Sequence, residues 1–513
     1  MELKSSSNKT LFFYFCLLLA GLYAVSKCLF IPVFPVSTDP GAFSAIALHI
    51  KHGKLLYVDV FDSKPPGIFI LNEIALYFSE SIISIKWLSV FFAFINGLVA
   101  FAIFKKLTKN SIVSVGGTLV YTSLYYSQFI YGTGNFTEEF ATVFLLSGFA
   151  VFLYNEEKQN NVIYLISGMV AGFSIWIKEP YFLPLIVITG YQIYLLWNKG
   201  KRPKLFLIGG YFLISAFMIF QLGIKGNFGG FLNYLEYNIA YSKFESSHLS
   251  VFEKIKENIV HFYTISYYDQ PNRVLYLMSL IAGVIYSFIP SQNRRYQYLP
   301  LMVTLWFVAD LIAASFSNFK FAHYYLQPLF SMTLCAGFGM LGFYHFLKYI
   351  FRNVFLVHLH RTTDGIAALT IILFLYNHTN KPTFLDISFN KPAYIENSIV
   401  NKIKAVPGSN IKLFVENPEL CSYYVRTGMI SNVKFPDASH FFFRIATAEG
   451  TGRDKAIAML NQLRTDPPEF IITKNKFTEF TYAADADEWY HENYSVADSV
   501  ISKSGNEYLW QHK

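Results

Sequence analysis

Two charged residues frame one segment between long apolar runs. Asp39 opens STDPGAFSAIALHIKHGKLLYVDVFDSKPPG, and Lys64 stands near its end, ahead of Pro65, Pro66 and Gly67. Charges kept beside a bilayer are costly to desolvate, so they point to chemistry or to a charged ligand. A carboxylate partly shielded from water can serve as a general base on a hydroxyl. An ammonium immobilised by two following prolines suits a phosphate that gathers charge as it departs. Each residue also has a plain structural use. Asp39 could cap a helix beginning at Ala42, and Lys64 could reach towards lipid headgroups. Asp59 and Asp62 could bind a divalent cation, although two carboxylates without a histidine or a third acid are an incomplete set.

Three more polar clusters interrupt the apolar sequence. Glu138 and Glu139 in NFTEEF could supply a second acid for an acceptor or a metal. They could equally be first-turn acids of a helix capped by Thr137. Lys178 and Glu179 could pair with each other or with a lipid phosphate. Lys320, His323, Tyr324 and Tyr325 offer a fixed charge, a titratable ring and two hydroxyls, able to grip a phosphate or a sugar. An interfacial aromatic belt is the structural alternative for the tyrosines. Cys16, Cys28, Cys335 and Cys421 have neither metal spacing nor a disulfide framework. The chain has no P-loop, no His-Glu-x-x-His and no nucleophile elbow, so ATP-driven transport and metalloprotease chemistry lack support.

The elements that must position these residues are membrane helices. Only 15% of the residues are charged while 53% are hydrophobic, far from the quarter charged that a soluble chain carries. The net charge of +8 is no nucleic-acid signal, because the basic residues sit in short loops beside apolar runs. A span takes about 20 apolar residues. Spans are predicted over 11–33, 82–104, 112–131, 140–154, 162–177, 182–197, 205–224, 274–289, 298–316, 325–346 and, more weakly, 365–376. That makes about 11 transmembrane helices, with an interfacial helix over 68–78. The basic clusters fall repeatedly on one side, taken as cytoplasmic together with the N-terminus. The first external loop is then 34–81, in a transmembrane domain of residues 1–376. Residues 377–513 form a small extracytoplasmic α/β domain, with strands over 412–415 and 470–473 and a helix over 454–463. That domain is expected to act as a lid, as a docking surface or in substrate contact. No internal repeat is evident, which disfavours a transporter of duplicated halves.

The arrangement resembles the GT-C glycosyltransferases, in particular the bacterial family related to protein mannosyltransferases and to the lipid A aminoarabinose transferase. The resemblance rests on Asp39, on HGKLLYVDVFDSKPPG at 52–67, on Thr137-Glu138-Glu139 and on FKFAHYYLQPL at 319–329. It implies a sugar donor on a polyprenyl monophosphate and a glycan, lipid or protein acceptor, with no nucleic-acid partner. Asp39 would deprotonate the acceptor hydroxyl, with inversion at the anomeric carbon. Lys64, Lys320, His323 and Tyr324 would bind the donor phosphate, and Glu138 or Glu139 would be the second acid. An inner (plasma) membrane location follows from the same resemblance. Asp39 is followed by Pro40 rather than a second acid, and Ser63 precedes Lys64 where some relatives carry an acid. No cofactor is certain, and a divalent metal ion stays open. Two alternatives compete. A glycan polymerase or ligase would need external arginines, for which Arg273 is nearly alone, and a lipid-linked glycan flippase draws support from Asp310 inside a span.

Overall fold

In lipid every backbone N–H and C=O must be satisfied within its own segment, so long apolar stretches become helices. The computed structural model describes residues 2–32, 36–197, 202–246, 250–265, 281, 283–285, 298–316, 321–350, 397–407, 411–434, 460–474, 486–502 and 505–513. The helices are α1 (Glu2–Cys28), α2 (Thr38–Lys51), α3 (Pro66–Phe78), α4 (Ile82–Thr108), α5 (Ser111–Tyr125), α6 (Gln128–Tyr131), α7 (Thr137–Asn155) and α8 (Asn161–Ile177). They continue as α9 (Phe182–Leu195), α10 (Arg202–Ile224), α11 (Phe228–Ser246), α12 (Val251–Ile265), α13 (Leu299–Ala314) and α14 (Leu326–Ile350).

Leu11–Cys28, Ile82–Thr108, Thr137–Asn155 and Pro203–Ile224 are long and apolar enough to cross a bilayer, and α8 and α13 are shorter apolar helices. The chain is a helical membrane protein. The predicted span at 365–376 and most of the one at 274–289 lie outside the described residues. The predicted span at 112–131 is two helices rather than one. The Ser127 N–H turns back three residues to Leu124, and the Ser127 carbonyl then starts a fresh turn by accepting from Tyr131.

The helix expected at the interface over 68–78 is present as α3, yet most of it is buried against α2, α4 and α8. Its contact with α8 is close. A Cβ on Gly67 would stand 2.5 Å from the Trp176 carbonyl oxygen. Small residues likewise let α8 and α10 approach. A Cβ on Gly168 would meet the Leu207 oxygen at 2.1 Å, and one on Gly210 would meet the Leu165 oxygen at 2.2 Å. Such small-residue seams are how helices associate where lipid removes the hydrophobic drive.

Beyond the spans come α15 (Ser398–Lys404), α16 (Ser422–Thr427) and α17 (Ala486–Asn493). A four-stranded sheet runs through β1 (Leu413–Val415), β2 (Phe470–Thr473), β3 (Tyr494–Ser502) and β4 (Gly505–His512), in the order β1-β2-β4-β3. β1 and β2 pair in parallel, whereas β4 runs antiparallel to both β2 and β3. The first two strands lie where the apolar runs predicted them. The β3–β4 hairpin, mostly polar, is an addition. Of the helix expected over 454–463, residues 460–465 are helical and 451–459 lie outside the described residues. One apolar cluster joins this sheet to the membrane body. It gathers Ala42, Ala45 and Leu48 of α2 with Ile399, Leu413, Tyr424 and Ile472.

Candidate active site

The site is assembled around the start of α2. Thr38 is the first helical residue and Ser37 the cap, but Ser37 makes no capping bond with its side chain. Its hydroxyl instead meets the Thr133 hydroxyl at 2.8 Å, tying α2 to the turn before α7. Asp39 therefore sits in the first turn, not at the cap position. Its carboxylate is 38% exposed and lies 3.7 Å from Nε2 of His323. The capping role open to Asp39 in the sequence is replaced by a contact with a residue near α14.

His323 is set by stacking. Its ring lies nearly parallel to Phe136 at 4.2 Å and to Phe321 at 5.6 Å, with Tyr324 edge-on at 4.8 Å. Burial holds its pKa below the ordinary imidazole range, outweighing the pull of Glu138 and Asp39 in the other direction. At neutral pH the ring is uncharged.

Lys64 is held by its loop. Its backbone N–H donates to Oδ1 of Asp62 at 2.9 Å, and its carbonyl accepts from the Tyr57 hydroxyl at 2.7 Å. Asn238 of α11 donates to the Ser63 carbonyl at 3.2 Å. Tyr57 adopts a left-handed backbone with φ of 66° and stacks on Tyr234 at 4.8 Å. A bulky residue in that conformation persists only where its surroundings over-determine it. Burial by itself would lower the Lys64 pKa. The charges of Asp62, Asp39, Tyr324 and Glu179 override it and raise the pKa above the ordinary lysine range. The group is a fixed cation.

The two adjacent glutamates divide. Glu138, buried, pairs with Lys178, whose ammonium also lies 4.3 Å from the centre of the Tyr324 ring. Thr137 donates to Oε2 of Glu138 at 2.9 Å rather than capping the helix. Glu139 accepts from the backbone N–H of Asn135 at 2.8 Å and from the Ser89 hydroxyl at 3.2 Å. Asn135 also exchanges amide hydrogen bonds with Asn72 at 2.8 and 3.1 Å. Glu139 thus braces the turn that delivers Phe136. The structure turns Lys178 to Glu138 instead of Glu179, which accepts from Tyr234 and Asn238.

Asp39, Lys64, Glu138, His323 and Tyr324 come together, whereas Lys320 lies outside the described residues. Oδ2 of Asp59 accepts from its own turn, from the Leu55 N–H at 2.9 Å, and Asp62 serves the Lys64 backbone. Among the described residues no three His, Cys, Asp or Glu gather as a metal set. Asp310 is buried in α13 and accepts from Gln327 at 3.3 Å and Ser331 at 2.5 Å. Sequence reasoning passed over Tyr57, Phe136, Tyr234 and Asn238. The one available signal was the spacing of Tyr234 and Asn238, which puts them on one face of a helix.

Residues 63–221, a stretch that includes Lys64, Glu138 and Lys178, match the sequence family of dolichyl-phosphate-mannose-protein mannosyltransferases. No curated protein sequence matches the chain. The fold is similar to that of ArnT from Cupriavidus metallidurans bound to undecaprenyl phosphate, with a TM-score of 0.53, 11% identity and 98% of each chain covered. It is similar also to the apo state of that protein, with a TM-score of 0.58 and 10% identity over 99% of this chain and 98% of the other. Identity this low is a likeness of fold. With the family match it makes this chain a membrane glycosyltransferase of the GT-C fold.

Proposed function

We propose that the protein moves a sugar from a polyprenyl-monophosphate donor to a hydroxyl of a cell-envelope acceptor, with inversion, at the outer face of a plasma (inner) membrane. The observation that carries this reading is the meeting of Asp39 and His323 beside the fixed cation Lys64. The acceptor hydroxyl gives its proton to Asp39 as its oxygen attacks the anomeric carbon. The bond from that carbon to the phosphate oxygen breaks, its electron pair leaves with the lipid phosphate, and Lys64 offsets the charge that gathers there. Neutral His323 orients the Asp39 carboxylate. Their separation of 3.7 Å is of the kind that shortens when substrate closes a site. Lys178 and Tyr324 line the phosphate side, and Glu138 holds Lys178 in place. An ArnT structure bound to undecaprenyl phosphate supports a polyprenyl-phosphate donor. Residues 377–513, with their small sheet, are read as an extracytoplasmic α/β domain.

The test supplies membranes with polyprenyl-phosphate sugars and an envelope extract, and follows free polyprenyl phosphate by mass spectrometry. Asp39→Asn should cut turnover by about 10²- to 10⁴-fold, the usual share of a general base. Full turnover in a folded Asp39→Asn protein would remove the base from the scheme. Absence of release from every donor would remove the transferase.

A further inference from the structure

The helix that presents Asp39 is held from two sides. On one face Phe43 and Ile46 pack into the membrane body with Ala24, Cys28 and Phe69. On the other, Ala42, Ala45 and Leu48 share a core with Ile399, Leu413 and Tyr424 from the C-terminal sheet region. Near its start, a Cβ on Gly41 would stand 3.3 Å from the Ser422 backbone nitrogen, so the cap of α16 rests directly on α2. Near its end, His49 is fully buried and bridges the two parts. Its Nδ1–H donates to the Ala45 carbonyl at 2.6 Å, which leaves Nε2 to accept from the Ser431 N–H at 2.7 Å. The Tyr424 ring meets the imidazole edge-on at 5.1 Å. A third tie runs from the Phe61 N–H to the Lys434 carbonyl at 3.0 Å, in the loop that carries Lys64.

We propose that the C-terminal sheet region positions the reaction centre: through His49 and Gly41 it fixes the axial placement of α2 and so aims Asp39. This rests on Asp39 as the base. His49 lies about 15 Å from Asp39 along the helix, at 1.5 Å per residue, so it acts through the helix and not on substrate. A helix is stiff over that length. A shift allowed at one end reaches the other, and a misplacement of about 1 Å can cost 10²-fold in rate.

The full-length protein in detergent or nanodiscs carries the test, with release of polyprenyl phosphate as readout. His49→Phe keeps an aromatic ring against Tyr424 but loses the acceptor, and His49→Gln places an acceptor near the position of Nε2. His49→Phe should lower kcat by about tenfold or more while donor KM stays within about twofold, and His49→Gln should recover most of the loss. Amide exchange at residues 41–45 should quicken in His49→Phe alone. Should His49→Phe fail to fold, Ser431→Pro removes the donated N–H from the other side and carries the same expectation. Wild-type kcat in His49→Phe or Ser431→Pro, or a loss in His49→Phe that His49→Gln does not recover, overturns the proposal. Asp39→Asn is assayed alongside. If it is inactive while His49→Phe is fully active, the clamp alone fails, and if Asp39→Asn turns over normally, both the base and the clamp fail.

Discussion

Lys64 keeps its charge although burial opposes it, because Asp62, Asp39, Tyr324 and Glu179 together outweigh desolvation. In the proposed transfer the departing lipid phosphate is the anion this retained charge would meet. Lys64→Met should lower kcat by about 10²- to 10³-fold, comparable with loss of one preorganised electrostatic stabiliser. Lys64→Arg should not restore it, since a planar fork does not replace a compact ammonium in a fitted site. Steady-state kinetics on both variants check this, and wild-type turnover in Lys64→Met would sink the role. Because the pKa is raised, the protonated form persists upward through the ordinary lysine range. Any alkaline loss of activity below pH of about 10 therefore belongs to another group.

Among the elements, α3 shows a local preference losing to a tertiary one. Gly67 lies in its first turn, where alanine is intrinsically better by about 1 kcal/mol. Yet a Cβ there would meet the Trp176 carbonyl oxygen at 2.5 Å, and two packed backbones cannot yield as a side chain would. Overpacking of this kind costs about 1–3 kcal/mol, so the clash should win. Gly190 in α9 is the control, because a Cβ there meets nothing within 4 Å. Thermal midpoints should fall for Gly67→Ala and hold or rise for Gly190→Ala. Equal behaviour of the two would show that the seam between α3 and α8 is looser than the geometry implies. Since Lys64 lies only two prolines upstream of Gly67, Gly67→Ala should also reduce turnover.

At the scale of the molecule, membrane body and C-terminal sheet meet through a histidine that must stay neutral. Burial chiefly, with Lys54 and His52 adding to it, lowers the His49 pKa from 6.5 to about 4. Between those values the unfolded chain binds the extra proton and the folded one does not. The stability from neutral His49 is thus complete above about pH 6.5 and falls as pH drops towards 4, at up to about 1 kcal/mol per pH unit. The thermal midpoint of the wild type should drop more steeply across this window than that of His49→Gln, which cannot titrate. Parallel curves would mean that His49 is charged or already free of Ser431.

The sequence by itself determined the elements whose cause is local. Apolar length made the spans, and the run Phe470–Thr473 made a strand in place, because burial leaves its period in the chain. Composition likewise marked a membrane protein. Partnership was not legible. Lys178 could have paired with its neighbour Glu179 and instead reaches Glu138. Asp39 could have capped its helix and instead faces His323. The polar β3–β4 hairpin has no apolar period strong enough to announce it, and nothing near His49 tells that Ser431 will meet it. Such pairings depend on how closely helices pack and at what depth their ends fall, and only tertiary structure decides those.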